Sequence, residues 1–461
     1  MKRITVVGGG ITGLTILYYL QKWKLASSSN IELTLVEKEN KAGGKIRTVH
    51  HEDFIMETGA DSVVARHGAV LPLIEEAGLE EEMVYNSTGV SYLYVKDQLY
   101  PLPRDAVFGI PPGPKSLLKS PLLSWRGKWQ ALGDYVKKNK EFTKESSVGE
   151  FLEAFLGREL VKNQIAPVLS GVYSGDIYSL TMASTLPYLV DYKNEFGSIM
   201  RGIAKNKETF GSGGSKKFIS FRNGLSSLPE ALLSKLTGTE VLLGRCVNYI
   251  KQEEEAYQLQ LDNGERLQAD AVVIAAPHQT ASRILQDEEL TEMFNQFQSS
   301  SLLSVYAGFS LPPDSLPKDG TGFIVSEDSD LECNACTWSN RKWAHTSKGE
   351  NVLVRLFYKS SKPAYERMQT GGEEQIKQTA LKDLKKSLHI DQQPTSLEVT
   401  NWEQLMPNYH IGHKSAVDQL ERMLEEKYPG VYLAGASYYG VGIGACIQNG
   451  INTAETLYNN I

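Results

Sequence analysis

The chain has 461 residues, 41% hydrophobic and 22% charged, enough for two or three domains around at least one large core. With 48 basic against 55 acidic side chains its net charge is −7, which argues against a basic nucleic-acid-binding surface. Four cysteines are too few for a disulfide framework, and no apolar run reaches the roughly 18 residues needed to span a membrane.

The chain opens with "RITVVGGG", a β-branched run ending in glycines, as a buried parallel strand would. Leu14 to Lys24 has helical periodicity, and "IELTLVEKE" is a second strand. Lys2 and Arg3 before an apolar stretch imitate a secretion signal. The glycines interrupt that stretch and a strand follows, so a cytoplasmic protein is expected. Prolines crowd the segment from Pro101 to Pro114, marking an irregular connection. Between Lys115 and Lys140, Leu and Trp interleave with Lys and Arg, a composition suited to peripheral contact with anionic lipid. "SVGEFLEAFLGRELVKNQIAPVLSGVY" is amphipathic and helical, whereas Lys193 to Lys217 is polar, basic and glycine-rich and is expected to be loop-like.

Strand signals return in "TEVLLGRCVNYI" and "YQLQLDNGERLQADAVVIAAP", where Tyr257, Leu259 and Leu261 alternate ahead of an Asn263-Gly264 turn. Cys333 and Cys336 form a C-x-x-C with no second half-site, so they read as ordinary reduced thiols. His410 and His413 likewise lack a nearby third ligand. The chain ends in "VYLAGASYYGVGIGACIQNG", again a strand, a glycine turn and a helix start.

Gly8-x-Gly10-x-x-Gly13 lies between a strand and a helix. Its first glycine permits a tight turn, its second lets a pyrophosphate approach the backbone, and its third lets helix and strand pack closely. The helix N-terminus supplies free N–H groups for the phosphates. Glu37 stands at the end of the second strand, 24 residues beyond Gly13, where a carboxylate can accept ribose hydroxyls and would repel a 2′-phosphate. These residues point to a dinucleotide.

"KAGGKIRT" and "METGADS" resemble two flavin-adjacent stretches of the large flavoprotein superfamily of amine oxidases, phytoene desaturases and protoporphyrinogen oxidases. "LSGVYSGDIYSL", "GTGFIVS", "ACTWSNRKW", "MPNYHIGHK" and "YPGVYLAGASYYGVGI" narrow the likeness to bacterial FAD-dependent porphyrinogen oxidases, in the branch of the coproporphyrinogen III oxidases of Gram-positive haem synthesis. The resemblance runs over essentially the whole chain.

It implies an α/β fold: a Rossmann-like FAD-binding domain of the p-hydroxybenzoate hydroxylase or amine-oxidase type, a discontinuous α+β substrate domain and a helical subdomain. The FAD-binding domain is expected from 1–70, 223–295 and 401–461, the substrate domain from 71–95, 186–222 and 296–400, and the helical subdomain from 96–185. The implied reaction removes six electrons from coproporphyrinogen III in three two-electron steps, with FAD accepting hydride and O2 returning as H2O2. Coproporphyrin III is the product, and haem-pathway enzymes are the implied partners. The alternatives are the same chemistry on protoporphyrinogen IX, another flavin amine oxidase or desaturase, or a flavin-free binding protein on the same fold.

By the resemblance, FAD contacts fall on Gly8, Gly9, Gly10, Ile11, Thr12, Gly13, Glu37, Lys38, Gly43, Gly44, Lys45, Gly59, Ala60, Asp61, Ser62 and Val247, with Trp402, Val441, Gly442 and Ile443 near the flavin ring. Arg66 and His67 fall where the family places a basic substrate contact. Lys193, Arg201, Lys205, Lys207, Lys216 and Lys217 would enrich a basic rim for propionates. No catalytic acid or base and no metal site is assigned.

Overall fold

The computed structural model describes residues 2–460 except 28, 88–89, 173–174, 208–217, 255, 318 and 350. Its organising element is a five-stranded parallel sheet. The strand order is Thr239–Leu243, Ile31–Glu37, Lys2–Val7, Ala271–Ile274 and Val431–Leu433. Runs such as "ITVV" and "AVVI" are apolar at every position because both faces of this sheet are covered.

On one face lie the first helix, Ile11–Ser27, and the closing helix, Ile443–Asn459, which share a core with Ile4, Val6, Leu35 and Val273. Their close approach depends on Gly450, where an added Cβ would sit 2.9 Å from both the Thr12 carbonyl oxygen and the Thr15 side chain. The other face packs against the antiparallel strands Val247–Glu253, Ala256–Leu261 and Arg266–Ala269 and the helix His413–Lys427. The Asn263-Gly264 turn joins the second and third of these strands, with Gly264 at φ +90°.

A seven-stranded, mostly antiparallel sheet stands beside this unit, in the order Ser396–Asn408, Gln298–Phe309, Val352–Lys359, Ala335–Trp338, Gly322–Val325, Tyr92–Val95 and Gln98–Pro101. Period-2 alternation divides its long strands. Val352, Val354, Leu356 and Tyr358 pack against the helix Pro363–Leu388, which kinks at Gly372, while Leu353, Arg355, Phe357 and Lys359 face the other way. Cys333 and Cys336 are buried in this core, where burial and the nearby Asp383 push both thiols up. Among the described residues no group of His, Cys, Asp or Glu could hold a metal ion.

A helical layer lies beside the second sheet and touches it where Gly171 faces Ile324. Its core joins Leu117, Phe151, Phe155 and Ile165 to Leu189, Met200 and Ile203, so it extends beyond the residue 185 expected from the sequence. From Lys193 to Lys205 the segment is not a loop. Pro187–Phe196 and Ile199–Lys205 are helices, separated by Gly197 at φ +68° and by Ser198, whose hydroxyl accepts from the Arg201 N–H. Lys193 is fully buried against Asp134 at 2.9 Å, which removes it from any substrate rim. Arg201 lies over the Tyr135 ring and Lys205 over Phe196, and Lys207 is exposed. Lys216 and Lys217 lie outside the described residues.

Candidate active site at the junction of the two sheets

The strand Lys2–Val7 delivers the glycine turn to the C-terminal edge of the parallel sheet. Gly8 has φ +111°, and a Cβ there would stand 2.7 Å from the Ala275 carbonyl oxygen. A Cβ on Gly13 would strike the Gly8 carbonyl oxygen at 2.0 Å, so this position must be glycine for the helix to start here. Gly10 has open space on its Cβ side, which leaves room for a phosphate. The next glycine pair closes over the turn: the Gly43 N–H donates to the Gly9 carbonyl at 2.8 Å, and Gly44, at φ +59°, lies against the Gly10 Cα. The helix beginning at Ile11–Thr12 directs its first amides into the same space.

Glu37 is buried at 6% exposure, and its carboxylate is aimed by two backbone donors, Gly9 N–H to Oε2 at 2.6 Å and Glu39 N–H to Oε1 at 2.9 Å. Each oxygen keeps acceptor capacity for a further donor. The Arg245 N–H donates to the Glu37 carbonyl at 3.0 Å, which brings the start of the Val247 strand alongside, with Val247 itself in the core beside Val36. Lys38 is exposed, and its ammonium lies 3.5 Å from the Glu39 carboxylate.

The backbone from Thr58 to Ser62 crosses between the two sheets. An added Cβ at Gly59 would lie 1.9 Å from the Lys45 carbonyl oxygen and 3.2 Å from Trp402. The Ala60 N–H donates to that same Lys45 carbonyl. The Trp402 indole N–H donates to the Thr58 carbonyl at 2.8 Å, and Arg355 donates to the Thr58 and Gly59 carbonyls, each at 2.8 Å. Arg355 is one of two charges in the strand "VLVRLFYK", the other being Lys359 at its end.

Asp61 pairs with Lys342 at 2.7 Å and accepts from the Ser62 hydroxyl. Burial pushes its carboxyl up, but Lys342 and Arg355 together outweigh burial and hold it at about 2. Burial dominates at neighbouring Glu57 and raises that carboxyl to about 7, despite hydrogen bonds from the Leu225 N–H and the Thr48 hydroxyl.

The closing turn reaches the same junction. Gly442 caps the helix Ile443–Asn459 without a side chain and has open space beside it, and Val441 is 47% exposed. Gly444, the next residue in from Ile443, lies against the His67 ring, whose Cγ would be 2.5 Å from an added Cβ. Arg66 is exposed next to it. Tyr409 fixes the turn from behind: its hydroxyl accepts from the Gly440 N–H at 2.5 Å and donates to the Ala436 carbonyl at 2.8 Å. His413 stacks on Tyr409 at 3.9 Å, and its Nε2 lies 3.2 Å from the Tyr438 carbonyl oxygen. Tyr409 lies in the "MPNYHIGHK" stretch, and nothing local in the sequence marks its anchoring of a turn 31 residues away.

Lys45 completes the junction. Its ammonium donates to the Leu405 carbonyl at 2.9 Å, and burial lowers its pKa, with Cys446 of the closing helix acting in the opposite sense. The expected residues thus form two groups, one around Gly10 and Glu37 and one around Gly59, Trp402 and Gly442. Gly43 to Lys45 joins them. Open backbone at Gly10, an aimed carboxylate and a capless helix N-terminus fit a dinucleotide with a polar ring at its far end.

The flavin containing amine oxidoreductase family matches residues 11–457. A curated coproporphyrinogen III oxidase from Bacillus subtilis is 36% identical, the alignment covering 97% of this chain and 96% of the relative. One from Staphylococcus aureus is 30% identical, covering 98% of each chain. The crystal structure of a protein from Exiguobacterium sp. 255-15 superimposes with a TM-score of 0.90 at 30% identity, covering 100% of this chain and 99% of that one. This chain belongs to the flavin containing amine oxidoreductase family, an oxidoreductase whose cofactor is FAD.

Proposed function

We propose that this enzyme oxidises coproporphyrinogen III to coproporphyrin III for haem synthesis, with O2 as acceptor and H2O2 as by-product. The observation that carries this reading is full-length similarity, at 36% identity, to a curated coproporphyrinogen III oxidase. Bound FAD would supply the redox chemistry, taking two electrons as hydride in each of three steps and returning them to O2.

The chain's own residues bind and orient. Gly8 to Gly13 would hold the pyrophosphate, Glu37 the ribose, and the backbone at Lys38 and Val247 the adenine end. Gly59, Ala60, Asp61 and Ser62 would lie along the ring system, held by Arg355 and Trp402. The helix N-terminus at Gly442–Ile443 and the Lys45 ammonium would stabilise negative charge on the ring. His67, against Gly444, and Arg66 would meet an anionic group of the substrate.

The test is a pair of fluorescence assays following porphyrin formation from coproporphyrinogen III and from protoporphyrinogen IX, with H2O2 measured in parallel. Faster turnover of coproporphyrinogen III and one H2O2 per two electrons are expected. Equal or better use of protoporphyrinogen IX would shift the assignment to that substrate.

The same reading includes peripheral contact with an anionic bilayer. Among the described residues no helix is long and apolar enough to cross a membrane. Yet Trp125 and Trp129 are 70% and 72% exposed on one face of a helix that also carries Arg126 and Lys128, with half-exposed Leu118 beside it. Exposed indoles among basic side chains suit an anionic headgroup layer. Sedimentation with phosphatidylglycerol vesicles should exceed that with phosphatidylcholine and fall several-fold in the Trp125→Ser/Trp129→Ser double variant. Equal sedimentation with both lipids removes the membrane assignment.

A further inference from the structure

Among the described residues five lysines are deeply placed, and their partners divide them. Lys193 pairs with Asp134 and Lys342 with Asp61. Among the described residues Lys45, Lys359 and Lys362 donate only to carbonyls, those of Leu405, of Ser170, and of Leu331 and Cys333 respectively, and Lys362 has the Asp383 and Glu332 carboxylates nearby. A buried ammonium without a counter-charge is costly unless an anion reaches it when the site is filled. Lys45 stands at the flavin site, where such an anion is supplied by the cofactor. Lys359 lies farther out.

The strand register gives its position. Lys359 is opposite Leu302, and Leu302 is opposite Trp402, so these three side chains form one row across three strands on one face. The next row holds Ala335, Phe357, Ser304 and Thr400, and the one after it Arg355 and Tyr306. This face also carries the Arg355 and Trp402 contacts to the Thr58–Gly59 backbone.

Leu302, Ala335, Phe357 and Lys359 are only half-covered, whereas the opposite face of the same strands is fully buried. An apolar, incompletely covered wall with an ammonium at its edge is the chemistry of a pocket for a flat apolar molecule bearing carboxylates. Ser170, on the helix Ala166–Val172 across from that wall, takes one of the three ammonium protons. No carboxylate among the described residues influences Lys359, and burial alone lowers it, to about 8.

We propose that Lys359 is a specificity-determining residue that receives one carboxylate of a substrate lying against the Leu302–Phe357 wall in front of Trp402. This rests on the porphyrinogen reading for the identity of the substrate, but only on the wall and the unmatched ammonium for the place of the anion. Arg66 and His67 occupy the closing-helix side of the junction, so Lys359 adds a second, separate anchor.

Lys359→Gln is the informative variant, because its amide still donates to the Ser170 carbonyl while the charge is lost. With FAD content and melting temperature unchanged, KM for coproporphyrinogen III should rise about tenfold or more, with kcat within about twofold. Lys359→Arg should stay near wild type. The tetramethyl ester, offered in detergent, should bind wild type and Lys359→Gln alike.

Coproporphyrin III binding, read by quenching of protein fluorescence, separates this inference from the activity. A wild type that turns over no porphyrinogen but binds the product about tenfold tighter than Lys359→Gln sinks the activity and keeps the anchor. An unchanged KM and unchanged product binding in Lys359→Gln, or an equal loss with the ester, overturns the anchor.

Discussion

Replacing Asp134 with Ala lowers the unfolding free energy by about 3–5 kcal/mol, the largest single-residue effect expected outside the cofactor site. Both partners of the Asp134–Lys193 pair are fully buried. The carboxylate also accepts from the Ser198 hydroxyl and from the Ile199 and Met200 N–H groups, so it caps the helix Ile199–Lys205. Without it, an ammonium is left in an apolar core over the Phe155 ring, and two helix amides lose their acceptor. Urea denaturation followed by far-ultraviolet circular dichroism is the measurement. Replacing both partners, as Asp134→Leu with Lys193→Met, should recover much of the loss, because the uncompensated charge is then absent. A loss below about 1 kcal/mol for Asp134→Ala would mean that Lys193 finds another acceptor.

Glu37→Ala is expected to yield protein with little bound flavin. A carboxylate hydrogen-bonded to ribose contributes about 1.5–3 kcal/mol, corresponding to roughly 10- to 150-fold in Kd. The substitution also frees the Gly9 and Glu39 N–H groups that the carboxylate now holds, which loosens the glycine turn at its second residue. Flavin absorbance per protein after gel filtration, and titration of the stripped protein with FAD, give the retained fraction and the Kd. Because Glu37 lies within the parallel sheet, the Gln variant is a needed companion. It keeps one acceptor oxygen and the side-chain volume, and should show an intermediate Kd with unchanged melting temperature. Flavin retention equal to wild type in both variants would remove Glu37 from the ribose site.

What the sequence made legible was local. The Gly8–Gly13 turn is defined by steric contacts within a few residues, and the alternation of Tyr257, Leu259 and Leu261 is visible along one strand. Trp402, Lys45 and Gly59 entered through resemblance, and the structure shows why they occur together: the Gly59 backbone has room only between the Lys45 carbonyl and the Trp402 ring.

Residues whose role depends on a distant partner were not legible. Lys193 read as part of a basic loop because Asp134, 59 positions away, gives no local sign of the pairing. Glycines and lysines around Ser198 concealed two short helices whose boundaries are set by one left-handed glycine and one serine cap. Arg355 and Lys359 were visible as charges in an apolar strand, but only the sheet register shows that both lie on the Trp402 face of the sheet.

The parallel sheet takes adjacent strands from residues 2–7, 271–274 and 431–433, and the closing helix packs on the first one. During synthesis the strand at residues 2–7 gains its neighbour at 31–37 early, but its other edge has no partner until residues 271–274 emerge. That edge stays open until residue 271, and the edge of 271–274 then stays open until residue 431, a condition that favours non-native pairing and chaperone dependence. The turn at Gly442 is made more than four hundred residues after the turn at Gly8, so the junction between the two sheets can close only once both have emerged.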